Sequence, residues 1–250
     1  MPITDFNEVA DVYDDELKNL LNKYVKGETE KYAEYKVQLT QMLMKNQKIN
    51  SILDFGCGVG RSLKYLSVYF PNAELFGCDV ADDELQIAKK NYPSVQYFNN
   101  SNVEEFCNME KKFDLVFTSC VMHHVDPAER KQWVDAVLSR LSPSGYWAIF
   151  EHNLINPYTK RIVTDKDNKV DDVTWMYTRK KLLDLFAERK DINIFWQGYT
   201  LFSPFRFESK KNQGKRNALS YFITNCERLF KWCPLGAQQC VIVKKQGKQE

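Results

Sequence analysis

The sequence predicts an α/β fold, a mostly parallel sheet with helices on both faces. Two observations predict it. From Ser51 to Glu151 short apolar runs alternate with helix-like segments, the pattern of parallel strands joined by crossover helices. The first run, Ile52-Leu53-Asp54-Phe55, opens into Gly56-Cys57-Gly58-Val59-Gly60-Arg61-Ser62, three glycines at alternate positions before a helical segment. Such a turn lets a ligand lie on the backbone, because glycine has no Cβ and accepts positive φ. The helix start behind it offers N–H groups to a carboxylate or phosphate.

Taken in order, residues 7–46 read as two helices, Glu8 to Lys26 and Glu28 to Lys45, parted by the helix-stopping Gly27. Strands are expected near 51–55, 74–79, 95–98, 113–118 and 145–151, with helices near 61–70, 82–91, 102–107 and 127–141. Asp82 is the expected N-cap of the second of these helices. An irregular stretch, 152–177, precedes a helix (Arg179 to Glu188) and a strand (Asp191 to Tyr199). An aromatic and basic insertion (Leu201 to Gly214) and a helix (Ala218 to Lys231) then lead to a last strand, Gln239 to Lys244. Ligands in parallel sheets bind beyond the carboxyl ends of the strands. Asp54, Asp79, Ser101, Thr118 and Glu151 all fall at such ends, so one pocket is expected there.

The 250 residues suit one large domain: a helical cap (7–46), a binding core (51–151) and substrate-recognition elements with the last strands (152–250). A hydrophobic content of 44% suffices for a substantial core. The net charge of +2 makes no electrostatic case for nucleic acid. Seven cysteines without a C-x-x-C pair or zinc spacing suggest a reduced, cytoplasmic protein with no metal. Met1 to Lys26 does not read as a signal peptide. No stretch approaches the roughly eighteen apolar residues of a membrane span.

The loop's spacing separates the cofactors. A dinucleotide fingerprint needs a third glycine where Arg61 stands, and a P-loop needs Gly-Lys-Ser/Thr where Gly60-Arg61-Ser62 stands. The remaining Asp-x-Gly-x-Gly-x-Gly resembles the first motif of class I S-adenosylmethionine (SAM) dependent methyltransferases. A second run, Glu74 to Asp79, ends in an acid about twenty residues on, where nucleotide-binding α/β folds hold the ribose hydroxyls. The run Phe113 to Ser119, followed by Cys120-Val121-Met122-His123-His124-Val125, resembles the family's fourth motif. The resemblance implies a Rossmann-like, seven-stranded, mostly parallel sheet ending in an antiparallel hairpin, and SAM as cofactor. It implies cofactor contacts from Asp54, Gly56, Cys57, Gly58, Gly60, Asp79, Val80, Val103, Thr118, Ser119 and Cys120. Ser101 or Asn102 stands where the family commonly has an acid on the adenine amino group. Tyr13, Tyr32 and Lys36 in the cap are candidates to reach the SAM carboxylate or seal the pocket.

Methyl transfer from a sulfonium is an in-line displacement, so the chain must align an acceptor, exclude water and remove a proton where the acceptor is a hydroxyl. The chain has three histidines, His123, His124 and His152, all at the expected pocket rim. Histidine suits the role of base, with an ordinary pKa of about 6.5. The adjacent pair His123-His124 is expected to diverge, one ring toward the ligand and one against the sheet. His152 is the favoured base, with Glu151 orienting it or the acceptor. The segment Phe150 to Thr159 (Phe-Glu-His-Asn-Leu-Ile-Asn-Pro-Tyr-Thr) resembles a motif of a bacterial small-molecule methyltransferase subgroup, as do Trp232 to Gln238 and Phe6 to Tyr13. Leu154 replaces that subgroup's usual proline. The subgroup implies a small-molecule acceptor, commonly a sugar; an oxygen acceptor is the leading choice, with amine or carbon acceptors open. No Asn/Asp-Pro-Pro-Tyr/Phe follows the fourth strand, so nucleic-acid and glutamine N-methylation lose support. A monomer or homodimer is expected.

Overall fold

The computed structural model describes residues 30–166, 168, 171–200 and 229–247. Seven strands form one sheet in the order β3-β2-β1-β4-β5-β7-β6. They are β1 (Ser51–Phe55), β2 (Glu74–Asp79), β3 (Gln96–Asn99), β4 (Phe113–Ser119), β5 (Leu141–His152), β6 (Ile192–Thr200) and β7 (Gln238–Lys245). The first five run parallel, and β7 lies antiparallel between β5 and β6. This is the Rossmann-like sheet expected from the sequence. Strand order reverses between β1 and β4, which opens a crevice at their carboxyl ends, the place where such sheets bind ligands.

The helices are α1 (Glu30–Leu43), α2 (Arg61–Tyr69), α3 (Asp82–Asn91), α4 (Val103–Asn108), α5 (Arg130–Arg140), α6 (Pro157–Val163) and α7 (Arg179–Asp184). Each sheet face buries its own cluster, because alternate strand residues point to opposite sides. Ile52, Phe117, Phe150 and Ile242 pack with Val37, Leu63, Leu66 and Leu85 of α1 to α3. Leu53, Val116, Trp147 and Val243 pack with Phe106, Trp133, Val137 and Leu182 of α4, α5 and α7.

Three local differences from the sequence reading have physical causes. β5 begins directly at Leu141, which pairs with Phe113 ahead of a register shift. Ser144 there has φ 65, and a Cβ on Gly145 would come within 3.0 Å of Phe113 O, so the bulge keeps the early pairing. Helix α6 lies in the stretch expected to be irregular. Asn156 caps it by accepting from Tyr158 N and Thr159 N, and Pro157 takes a first-turn position. Finally, α3 is capped by Ala81 with no side-chain bond; Asp82 is already its first residue.

The described part of the cap, α1, lies against α2 and the sheet through Val37 and Leu39. Tyr13, the Phe6 to Tyr13 segment, the insertion Leu201 to Gly214 and most of the helix expected over 218–231 lie outside the described residues.

Candidate active site

The glycine loop between β1 and α2 is shaped by its backbone. Gly56 has φ 73, and a Cβ there would stand 2.4 Å from Val121 Cγ2. Gly58 has φ 51, and its Cβ would stand 2.5 Å from Glu84 Oε2. Both positions therefore demand glycine for conformation, and Gly56 for space as well. The N–H groups of Gly56 and Cys57 donate to Cys78 O, each at 2.9 Å, and tie the loop to β2. Asp79 completes the tie, accepting from Gly58 N at 2.8 Å and from Ala81 N at 3.1 Å.

Three carboxylates crowd this loop. Asp54 is 1% exposed, and its Oδ2 is buried without a hydrogen-bond partner. Burial first, then the charge of Asp79, push its pKa up to about 8, against the pull of Lys36. Burial likewise raises Asp79, despite its bonds from Gly58 and Ala81. Glu84, which sequence reasoning missed, is pushed up to about 7 by burial and by Asp79. A buried acid in the first turn of an exposed-looking helix gave no periodic signal. The loop is thus ringed by carboxyl groups that burial holds toward the neutral form and that a neighbouring cation would draw into the charged form.

At the neighbouring strand ends the expected residues take different parts. Lys36, buried on α1, donates to Ser119 Oγ at 2.7 Å and lies 3.7 Å from Cys120 Sγ. Thr118 turns its hydroxyl into the core, where it accepts from Trp147 Nε1 at 2.8 Å. Asn102 is not available for a ligand through Oδ1, which caps α4 by accepting from Glu104 N and Glu105 N. Ser101 is exposed and its N–H donates to Asn99 Oδ1. Between them and Asp79 lies Asn100, 4% exposed, with Oδ1 unpartnered. Its backbone N–H donates to Asp79 O at 3.1 Å, so it sits beside the acid at the end of β2. The run of four polar residues at a strand end was visible; which one turned inward was not. Val80 is exposed, Cys57 buried, and Val103 packs half-buried against the aromatic cluster.

The three histidines gather at the ends of β4 and β5. The His123 and His124 rings do not diverge; their centroids lie 4.0 Å apart. The turn after β4 causes this, with His124 N donating to Val121 O at 2.9 Å. Glu151 does not orient His152. Its carboxylate meets His123 Nδ1 at 2.6 Å and accepts from Met122 N at 2.9 Å. His123 Nε2 lies 3.0 Å from Asp171 Oδ1, a partner no sequence motif marked. Burial opposes the charged ring, but Glu151 and Asp171 prevail and hold its pKa up at about 10. That upward shift makes His123 poorly suited to accept a proton. Burial, then the His123 charge, push His124 well below the usual range.

His152 pairs instead with Cys120. Burial opposes its protonation, but the charge of Cys120 and a hydrogen bond to it raise its pKa overall. Burial raises the Cys120 thiol, yet His152 and Lys36 outweigh it and bring the pKa down to about 7. Cys120 has φ 59, and its Sγ accepts from Gln238 Nε2 at 3.1 Å. The rest of the Glu-His-Asn segment is a clamp. Asn153 Nδ2 donates to Pro234 O at 2.8 Å and Gly236 O at 2.7 Å, and Thr159 Oγ1 donates to Ala237 O at 2.9 Å. The segments 150–159 and 232–238, set apart by resemblance in the sequence, hold each other.

Comparison with known proteins bears on this geometry. Residues 53–147 match the methyltransferase domain family. An uncharacterized methyltransferase of Synechocystis sp. is 31% identical over 114 residues, covering 44% of this chain and 52% of that protein. A trans-aconitate 2-methyltransferase of Variovorax paradoxus is 26% identical over 98 residues, covering 39% and 37% of the two chains. The chain therefore spans about half, or less, of the length of these curated relatives. Among solved structures, the plantazolicin methyltransferase BpumL in complex with S-adenosylhomocysteine (SAH) superposes with a TM-score of 0.64 at 18% identity. That match covers 96% of this chain and 93% of the other. A TehB-like SAM-dependent methyltransferase from Corynebacterium glutamicum gives 0.55 at 16% identity, covering 95% and 97%. The chain shares the Rossmann-like fold of these structures. Among the described residues no helix is long and apolar enough to cross a membrane.

Proposed function

We propose that the chain is a SAM-dependent methyltransferase acting on a small-molecule acceptor, with a hydroxyl of a sugar or related metabolite as the leading choice. The observation that carries this reading is the ring of buried acids around the glycine loop, with Asp54 Oδ2 unpartnered. A bound cation draws these carboxyls toward their charged form, and the ammonium and sulfonium of SAM are cations, whereas a pyrophosphate would push their pKa values up further. The residues present fit that cofactor. Asp54 would hold its amino group, Asp79 its ribose hydroxyls and Lys36 its carboxylate, while Asn100 Oδ1 offers an acceptor to the adenine amino group. Bound there, SAM supplies an electrophilic methyl group on a sulfonium.

The chain's own residues would do the rest. His152, paired with Cys120 at the end of β5, would accept the proton of the acceptor hydroxyl through its imidazole nitrogen. Gln238 and Lys36, both on Cys120, would fix that pair. The clamp between 150–159 and 232–238 would hold the β5 end rigid, and α1 would help exclude water. The similarity to natural-product and small-acid methyltransferases supports a small or peptide-derived acceptor class.

Isothermal titration calorimetry with SAH tests the cofactor, and one equivalent bound is expected. Methyl incorporation from labelled SAM across sugars, hydroxy acids and carboxylates tests the acceptor. Absence of SAH binding by folded protein would overturn the reading.

A further inference from the structure

We propose that His123, His124 and Asp171 form a site for a divalent first-row transition ion beside the acceptor end of the pocket. One ligand atom from each residue falls within 4.8 Å of the others. Asp171 Oδ1 lies 3.0 Å from His123 Nε2 and 3.9 Å from His124 Nε2. Nitrogen and oxygen ligands about 2.0–2.2 Å from one ion stand roughly 3–3.5 Å apart at tetrahedral angles, so small side-chain shifts complete the triangle. Two imidazoles with one carboxylate suit zinc, cobalt or iron rather than calcium or magnesium, which prefer oxygen alone. Three protein ligands also leave positions open for a further group.

The surroundings are those of a metal ligand set. Glu151 engages His123 Nδ1 at 2.6 Å, which turns Nε2 toward Asp171, the carboxylate–histidine–metal arrangement. Glu151 is itself fixed by Met122 N at 2.9 Å. On the other side Asn168 Nδ2 donates to Asp171 Oδ2 at 2.9 Å, leaving Oδ1 directed at the histidines. An ion would take the place of the proton now shared between His123 Nε2 and Asp171, and its two positive charges would balance Glu151 and Asp171. The His152 ring lies 5.3 Å from that of His123, so an ion-held acceptor hydroxyl would stand near the proposed base. That last point rests on the methyl-transfer reading; the ion site itself does not. The competing arrangement is a hydrogen-bonded Glu151–His123–Asp171 chain that merely ties Asp171 to the sheet.

Cobalt(II) titration of the tag-free, chelator-treated full chain separates the two. Visible absorption should show one equivalent bound, with nitrogen and oxygen ligation and no thiolate-to-cobalt charge-transfer band. Asp171→Asn and His124→Gln should each weaken binding at least tenfold. Circular dichroism and SAH calorimetry on the same variants report whether they fold. No one-equivalent binding by the wild type, a thiolate band at that equivalent, or unchanged affinity in both folded variants overturns the site. SAH binding without cobalt binding removes the ion site and leaves the methyltransferase reading. Cobalt binding without SAH binding does the reverse.

Discussion

The two halves of the pocket are built in different ways. On the proposed cofactor side, β1, the glycine loop and β2 lie within 51–79, and their bonds join backbone to backbone or backbone to Asp79. On the proposed acceptor side, Cys120, His123, His152, Asp171 and Gln238 meet from across the chain through side chains; Gln238 and Cys120 are 118 residues apart. A site made by local backbone shape tolerates changes of side chain but not of conformation. A site made by distant side chains is sensitive to each of them and free to change its specificity.

That contrast can be broken most sharply at His152. His152→Ala should lower kcat by about two to four decades while SAH affinity stays within a few-fold, read by steady-state kinetics and calorimetry. Loss of SAH affinity alone would place His152 on the cofactor side and erase the distinction.

Next in size is Gly56→Ala, which puts a Cβ at φ 73 against Val121. Strain of about 1–3 kcal/mol should appear as a roughly tenfold or greater loss of SAH affinity and a lower melting temperature. An unaltered variant would show that the loop is not set by backbone shape.

Asp54 gives the pH dependence. Its folded pKa, about 8, is raised above the unfolded value, so its contribution to stability is present at low pH. That contribution is lost as pH rises from about 4 through 8. Without cofactor, the wild type should therefore lose melting temperature over this window, and Asp54→Asn should lose less. A cationic cofactor favours the carboxylate, so SAM binding near pH 7 should release a proton. Calorimetry in buffers of different ionisation enthalpy measures it, and a buffer-independent enthalpy would contradict the role given to Asp54.

The smallest effect is expected at the clamp. Asn156→Ala removes the α6 cap and a bond from Asn156 Nδ2 to Leu235 O, and should cost about 1 kcal/mol in denaturant unfolding. SAH affinity should not change. A change would tie the clamp to the cofactor side.

How legible each half was follows from the same contrast. The five parallel strands could be read because each is a short apolar run ended by polar residues, and the glycine loop because its spacing admits few conformations. Helix α6 stands where no helix is expected from the sequence, although Asn156-Pro157, a cap followed by a first-turn proline, marks its start. Asn100 and Glu84 were not legible, since inward and outward polar residues look alike in a sequence. Glu151 stood out as an acid at a strand end, but its partner was misassigned, because adjacency to His152 in the chain says nothing of which ring its carboxylate meets.

By itself the sequence determined the alternating sheet and the glycine turn, because periodicity and positive φ are local constraints of the chain. Only the tertiary structure decided that Glu151 holds His123, that Asp171 closes on the same ring, and that Cys120 partners His152. Those pairings depend on how the turn after β4, Asp171 and the end of β5 converge in space, and no local preference encodes that convergence.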